Sequence, residues 1–397
     1  MITIKRILGE GFRVFFLCAG LYGVFVGCVW AIWLMTQSGA DVILLKTADP
    51  QMWHAHEMIF GYAGAAMGGF FLTAVPNWTN TPAARLSYLT VAAGLWLAGR
   101  LAMWFSGALS PEWVAALDLA FVPILSLKIA TQLIKRPKPQ NMMFLLILTL
   151  IWLGNLLVHL EWVGITTDTA HNGLRAGLFA LCAMVVVLGG RITPAFTRNA
   201  MKREGMPEQS WPKTCKISDR ASLVLGLLLP ALTVAHAPQF APGIVAILLG
   251  VVQLIRLTRW RAGWAWRQPI LFALHLGLGL LGLGLILWGA AAFGLGQEIA
   301  ALHVIGIGGI GGMTLAVMSR AALGHSGRPL VAPRAVTVAY AILAITALAR
   351  WLVAILSPSA YFPLMTGLSL LWALGFLLFV LCLWPALTQP REDHSST

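Results

Sequence analysis

Twelve apolar segments, each about as long as a lipid bilayer is thick, limit what this chain can fold into. A helix crosses roughly 30 Å of hydrocarbon with about 20 residues. Because lipid offers no hydrogen bonds to an open backbone, such long apolar segments predict membrane-spanning helices. The segments cover approximately residues 14–36, 54–76, 86–106, 112–134, 142–162, 172–193, 219–237, 240–258, 269–293, 299–319, 335–357 and 361–385.

The composition excludes a soluble globular protein. Hydrophobic residues make up 59% of the chain and charged residues 10%, with a mean hydropathy of +0.81. Soluble domains have about 45–50% apolar and about 25% charged residues. We therefore predict an all-α, polytopic membrane protein, with one integral membrane domain at residues 1–390 and a polar C-terminal tail at residues 391–397.

Lysine and arginine residues set the expected orientation. They concentrate in alternate loops, beginning with the N-terminal one, and basic loops stay in the cytoplasm. With twelve spans, both termini are then cytoplasmic. This distribution also accounts for the net charge of +13, so we expect membrane lipid and no nucleic acid as the surroundings of the chain.

Histidines collect at the opposite, outer end of the segments. Near that end, two begin segment 2 and the others lie at the ends of segments 5, 6, 7 and 10. Neutral imidazole is the commonest metal ligand in proteins. The outer histidines, which we take as candidate metal ligands, are His54, His56, His159, His171, His236 and His303.

The stretch from Trp53 to Trp78 has the strongest functional signal. It places His54, His56 and Glu57 at the mouth of an apolar segment, where ionisable groups are costly unless they face protein, water or a metal. On a regular helix His54 and Glu57 share one face, and His56 points roughly 200° away from His54. The two imidazoles are therefore expected to face different neighbours.

Two arginines within segments need anions. Arg100 and Arg350 lie in or near the outer half of their segments. A buried guanidinium must pair with a carboxylate. Asp118, Glu57 or the carboxylates of a cofactor could each supply it.

The more specific hypothesis for His54, His56 and His303 is that they ligate haem, because histidines from facing helices usually hold haem b in a helix bundle. The alternative is a set of interfacial histidines bonded to loop carbonyls. A CxxCH motif is absent, which argues against covalent c-type haem.

The inner ends of segments 2, 6 and 10 are predicted to be polar loops. They read VPNWTNTPAAR, GGRITPAFTRN and MSRAALGHSGRP. We expect either an anion site, polar gate or proton entrance there, or only helix ends with cytoplasmic arginines. The candidate inner-side residues are Arg191, Arg320, His325 and Arg328.

A glycine pair recurs near the inner ends of the same three segments. Gly68-Gly69, Gly189-Gly190 and Gly311-Gly312 lie 121 and 122 residues apart. The spacing favours three four-helix units, although glycine pairs also serve helix packing alone.

Three segments together resemble the NnrS family. They are WHAHEMIFGYAGAAMGGFFLTAVPNW, GGRITPAFTRN and HVIGIGGIGGMTLAVMSRAALGHSGRP, in the same order. The resemblance implies a multi-pass protein of the bacterial inner membrane that takes part in the nitric oxide response. It also implies haem and copper as cofactors, but it assigns no histidine as a ligand.

A fainter likeness links HEMIF, GGF and VPNW to span 2 of haem-copper oxidase and nitric oxide reductase core subunits. By that analogy His56 and His303 would be axial haem ligands. The chain departs from the pattern, since segment 10 has one histidine and no His-His pair follows segment 7. A complete binuclear centre is therefore not expected.

The leading functional hypothesis is a haem-bearing membrane protein that binds nitric oxide, or reduces it, under nitrosative stress. If the chain is an enzyme, a nitric oxide reductase-like oxidoreductase is expected, with a quinol or a cytochrome as electron donor. The alternatives are a twelve-helix transporter that exports nitrosylated iron complexes and a sensory or assembly protein.

Overall fold

The fold of residues 4–39, 46–356 and 360–392 is described by a computed structural model. Within these ranges every regular element is a helix. The predicted all-α class is therefore confirmed for the described residues. Most of the expected polar tail, residues 393–397, lies outside them.

Twelve of the helices are long and apolar enough to cross a membrane. The described chain is thus a multi-pass membrane protein, as the segment count predicts. Spans 1 to 12 comprise Gly11–Gln37, Pro50–Thr79, Leu86–Trp104, Pro111–Leu133, Pro139–Trp162, Ala170–Arg203, Lys216–Val234, Phe240–Arg259, Pro269–Ala291, Glu298–His325, Arg334–Ile355 and Tyr361–Thr388.

The spans form a closed ring with three of them inside. The ring passes from span 1 to span 3, from span 5 to span 7 and from span 9 to span 11, and span 12 packs against span 1. Spans 2, 6 and 10 contact one another within this ring. This arrangement agrees with three four-helix units, each of which contributes its second span to the centre.

Both described ends of the chain lie at the same end of the bundle. The Arg13 guanidinium at the start of span 1 donates to the carbonyls of Ala386 (3.1 Å) and Gln389 (2.7 Å) at the end of span 12. Farther along, the Ser369 hydroxyl donates to the Gly27 carbonyl at 2.9 Å. Spans 1 and 12 are therefore antiparallel neighbours. We call the end with the termini the inner end and the opposite end the outer end.

The outer halves of spans 2 and 10 contain π-helical turns. They cover Glu57–Tyr62 in span 2 and Val304–Gly311 in span 10. A π-turn adds a residue to the helical repeat and so rotates the side chains on either side of it. A regular helix would place His54 and Glu57 on one face. The π-turn that begins at Glu57 changes this arrangement of side chains next to the candidate ligands.

The three inner segments are more helical than the sequence suggests. Span 2 continues to Thr79, span 6 to Arg203 and span 10 to His325. Pro76 and Pro194 lie inside helices, because neighbouring helices and local groups can offset the lost hydrogen bond. The prediction that these segments are loops is wrong for VPNWT, for all of GGRITPAFTRN and for MSRAALGH.

The recurring glycines allow close packing. A side chain at Gly68 would meet the Phe121 ring at 3.1 Å, and one at Gly311 would meet Trp372 at 2.6 Å. At Gly189 it would meet Leu278 at 2.9 Å. Each glycine thus lets a large side chain of another span approach the backbone.

Candidate functional site

A cavity of about 690 Å³ opens among the outer halves of spans 1, 2, 6, 10, 11 and 12. Its walls are mainly leucine, isoleucine, methionine and tryptophan side chains. Pockets of roughly 300–1,000 Å³ with apolar walls and few polar groups are typical of small-molecule and cofactor sites. The histidines and arginines that line this cavity, which could bind a metal or an anion, are His54, His171, Arg175, His303 and Arg350.

His54 enters the cavity from the first turns of span 2. Its ring stacks on Trp30 of span 1, with centroids 4.0 Å apart and planes that differ by 14°. Its buried Nδ1 atom has no hydrogen-bond partner among the described residues. Because buried polar atoms are nearly always paired, this nitrogen favours a ligand in the cavity.

His303 faces His54 across the cavity. Their ring centroids are 6.4 Å apart and their planes differ by 13°. The Nδ1 atom of His303 donates to the Ile299 carbonyl one turn earlier, at 2.7 Å. A backbone acceptor of this kind commonly orients a metal-binding imidazole and leaves its other nitrogen for the metal.

Two arginines give the cavity positive charge. Arg350 donates to the Tyr361 hydroxyl at 2.9 Å, and its buried Nη1 atom has no partner among the described residues. Arg175 already forms a two-pronged pair with Glu298, at 2.6 and 3.1 Å. Arg350 is therefore the better cation for an anionic group in the cavity.

His56 belongs to a separate buried cluster between spans 2 and 5. Its Nδ1 atom lies 2.9 Å from Glu57 Oε1, and its Nε2 atom 2.8 Å from Asn155 Oδ1. Asp118 Oδ2 is 3.3 Å from the same Nε2 atom and 2.9 Å from Nε2 of His159. The cluster thus joins groups that are far apart in the sequence.

Arg100 holds the carboxylates of this cluster. It pairs with both Glu57 and Asp118, and the Tyr22 hydroxyl donates to Glu57. All four side chains except Tyr22 are buried. Of the anions expected for Arg100, the structure therefore selects the two protein carboxylates.

The outer residues predicted from the sequence thus lie in three different surroundings. His54, His303 and Arg350 share the cavity, and the exposed His171 lies on its rim. His159 joins the cluster of His56. His236 is exposed and accepts from Asn172 at 2.9 Å, outside the cavity. The pairing of His56 with His303, expected by analogy, is not the one seen, since His54 takes that place.

The four inner-side candidates contact different parts of the bundle. Arg191 bonds to Asn141 of span 5 and lies over the Phe144 ring, and Arg320 lies over Phe196 of span 6 at 4.1 Å. His325 packs on Phe12 of span 1, and Arg328 pairs with Glu392. Each candidate thus has a local contact of its own.

Sequence reasoning missed Trp30, Asn155 and Arg175. Trp30 and Asn155 occur in segments that read as ordinary apolar spans, so only the contact of their span with span 2 gives them a role. An intramembrane asparagine is a signal that could have identified Asn155, because it needs partners in lipid. Arg175 lies near the outer end, where lysine and arginine are few, and this could have identified it.

Comparison with known proteins identifies the family. No curated protein sequence matches the chain. The family model described as "NnrS protein" matches residues 6–391, which is nearly the whole chain. The match includes both the cavity and the buried cluster. The chain therefore belongs to the NnrS family.

Proposed function

We propose that this protein binds haem b in the outer cavity, between His54 and His303, and binds nitric oxide there as part of the nitric oxide response in the bacterial inner membrane. Family membership supports the role in that response. The observation that carries the proposal is the pair of nearly parallel imidazoles, 6.4 Å apart, inside a large apolar cavity.

The spacing of the two rings fits one metal ion between them. An imidazole nitrogen binds a metal at about 2 Å, so two imidazoles on opposite sides of an ion have ring centres roughly 6 Å apart. The separation of 6.4 Å agrees with this value. The unpartnered nitrogen of His54 and the carbonyl-anchored ring of His303 supply the two ligands.

The cavity also fits the rest of a haem group. Its apolar walls suit the porphyrin, and Trp30 stacks beside His54. The unpartnered Nη1 atom of Arg350 suits a propionate carboxylate. Gly306 lines the cavity, and a side chain there would meet no atom within 4 Å.

In this function the protein positions and shields the ligand site. When bound, haem would supply electron exchange, and its iron would coordinate nitric oxide in place of one of the two imidazoles. His303 keeps its orientation through the Ile299 carbonyl, and Trp30 fixes the plane of His54. The apolar side chains keep bulk water away from the site.

Spectra of the purified full-length protein test the proposal. We expect a Soret band and iron in the wild type, a spectral change with nitric oxide, and loss of haem in His54→Ala and His303→Ala. The exposed His236 is the matched control, so His236→Ala should keep haem. Wild-type protein without haem, or equal haem in all three variants, would overturn the proposal.

A second variant pair fills the cavity without removing a ligand. Gly306→Leu places its side chain in the open space of the cavity, whereas Gly367→Leu places the same side chain on an exposed face of span 12 with no atom within 4 Å. We expect most bound haem to be lost in Gly306→Leu alone. Equal haem content in the two variants would contradict the assigned location.

A transporter is the second candidate, and one observation favours it. An apolar cavity of about 60 Å³ lies between spans 2, 6 and 10, closer to the inner end, and shares Leu181 and Ile310 with the outer cavity. The two cavities could form a path for a nitrosylated iron complex. Efflux from vesicles that persists in His54→Ala and His303→Ala would favour transport over haem-dependent binding.

A further inference from the structure

The cluster around His56 has the donor atoms of a metal site. Nε2 of His56, Nε2 of His159 and Oδ2 of Asp118 all lie within 4.8 Å of one another, and all three side chains are buried. The carboxylate oxygen is 3.3 Å from the first nitrogen and 2.9 Å from the second. Two imidazoles and one carboxylate are a recurrent ligand set for first-row transition metals.

Neighbouring groups orient these three donors. Glu57 accepts from Nδ1 of His56 at 2.9 Å, which directs Nε2 towards Asn155 Oδ1 at 2.8 Å and Asp118 Oδ2 at 3.3 Å. Arg100 binds Oδ1 of Asp118, and the Asn155 amide donates to Oδ2 at 2.7 Å. A carboxylate behind a ligating histidine and a hydrogen bond behind a ligating carboxylate are common features of metal sites.

The charge of the cluster also requires a cation. Glu57 and Asp118 contribute two negative charges, and Arg100 contributes one positive charge. The remaining negative charge is buried among apolar spans, where an unbalanced charge is strongly unfavourable. One extra proton on an imidazole would cancel this charge, whereas a divalent metal ion would leave a net charge of +1.

We propose that His56, His159 and Asp118 bind a divalent first-row transition-metal ion at a site separate from the outer cavity. The site needs no haem in that cavity, so it stands independently of the proposed function. Glu57 and Arg100 act as positioning residues, because they contact the donors through the atoms that face away from the metal.

Metal binding to the full-length protein tests this site. The protein is purified in detergent, treated with EDTA and titrated with Co²⁺, whose ligand-field absorption reports coordination by nitrogen and oxygen. We expect one equivalent of Co²⁺ per chain in the wild type. We expect this binding to be lost in Asp118→Asn and His159→Gln, which keep the size and hydrogen-bonding ability of the side chains.

His275 provides a matched control. It is also buried, but its Nε2 atom lies 3.0 Å from the Thr197 hydroxyl and away from the cluster of His56. His275→Gln should therefore keep the Co²⁺ site. Glu57→Gln should weaken binding by about 10–100-fold, the usual effect of losing a group that orients a ligand. Size-exclusion profiles and melting temperatures report whether each variant is folded.

Two results would overturn the site. The first is a wild type that contains no tightly bound metal besides haem iron after purification and takes up no Co²⁺, since a proton then completes the cluster. The second is Co²⁺ binding in Asp118→Asn and His159→Gln that equals the wild type. His303→Ala separates this proposal from the haem proposal, because it should lose haem and keep Co²⁺.

Discussion

At the residue scale, two histidines only two positions apart serve different surroundings. His54 faces a cavity and has an unpartnered nitrogen, whereas both nitrogens of His56 lie near oxygen atoms of the buried cluster. The sequence predicts that the two rings diverge, because a helix turns roughly 200° over two residues. It does not identify which ring faces His303, since this depends on where span 10 lies.

Arg100 is the residue on which the stability of the cluster depends. We expect Arg100→Met to lower the free energy of unfolding by about 3–5 kcal/mol, because it leaves two buried carboxylates without their cation. Arg328 is the control, since its partner Glu392 is half exposed. Arg328→Met should cost less than Arg100→Met, because the half-exposed Glu392 stays solvated when its partner is removed. Denaturant unfolding in mixed micelles measures both, and equal losses would contradict this assignment.

At the element scale, the π-turns and the glycine contacts decide which spans meet. The π-turn at Glu57–Tyr62 brings Glu57 to the same cluster as its neighbour His56. Gly154 lets span 5 approach span 6 closely, since a side chain there would lie 2.7 Å from the Gly173 carbonyl oxygen. Span 5 also carries Asn155 and His159, so this contact fixes how far both reach towards span 2.

A methyl group at Gly154 should therefore displace span 5 and so affect the cluster around His56. We expect Gly154→Ala to destabilise the protein by about 1–3 kcal/mol, as overpacking does, and to weaken Co²⁺ binding. Gly94→Ala is matched, because a side chain at that exposed glycine would meet no atom within 4 Å. Calorimetry and Co²⁺ titration compare the two. If Gly154→Ala is destabilised but binds Co²⁺ with unchanged affinity, the contact between spans 5 and 6 does not position the metal ligands.

At the scale of the whole molecule, the two ends of the helix bundle carry different features. The ends of the described chain meet at the inner end, while the large cavity and the buried cluster lie in the outer halves of the spans. Both candidate sites therefore lie nearer the end opposite the termini. The basic loops predict that the inner end is cytoplasmic.

Cysteine labelling in intact cells tests this orientation. Cys215 lies in the inner loop before span 7, and the other four cysteines lie within spans. A membrane-impermeant maleimide should label Cys215 only after the membrane is permeabilised. Thr167 lies in an exposed loop at the outer end, so a cysteine introduced there probes the other side of the membrane. Thr167→Cys in a Cys215→Ser background should react in intact cells, and the reverse pattern would contradict the orientation.

The sequence by itself determined the membrane class, the twelve spans and the outer position of the candidate histidines, because each follows from local hydropathy and from the residues that flank a segment. It also marked Glu57, Arg100 and Asp118 as groups that need partners in lipid. The tertiary structure decided that His54 faces His303 and that His56 joins His159. These pairings depend on contacts between spans far apart in the chain and on π-turns that change the register of spans 2 and 10, which hydropathy does not encode.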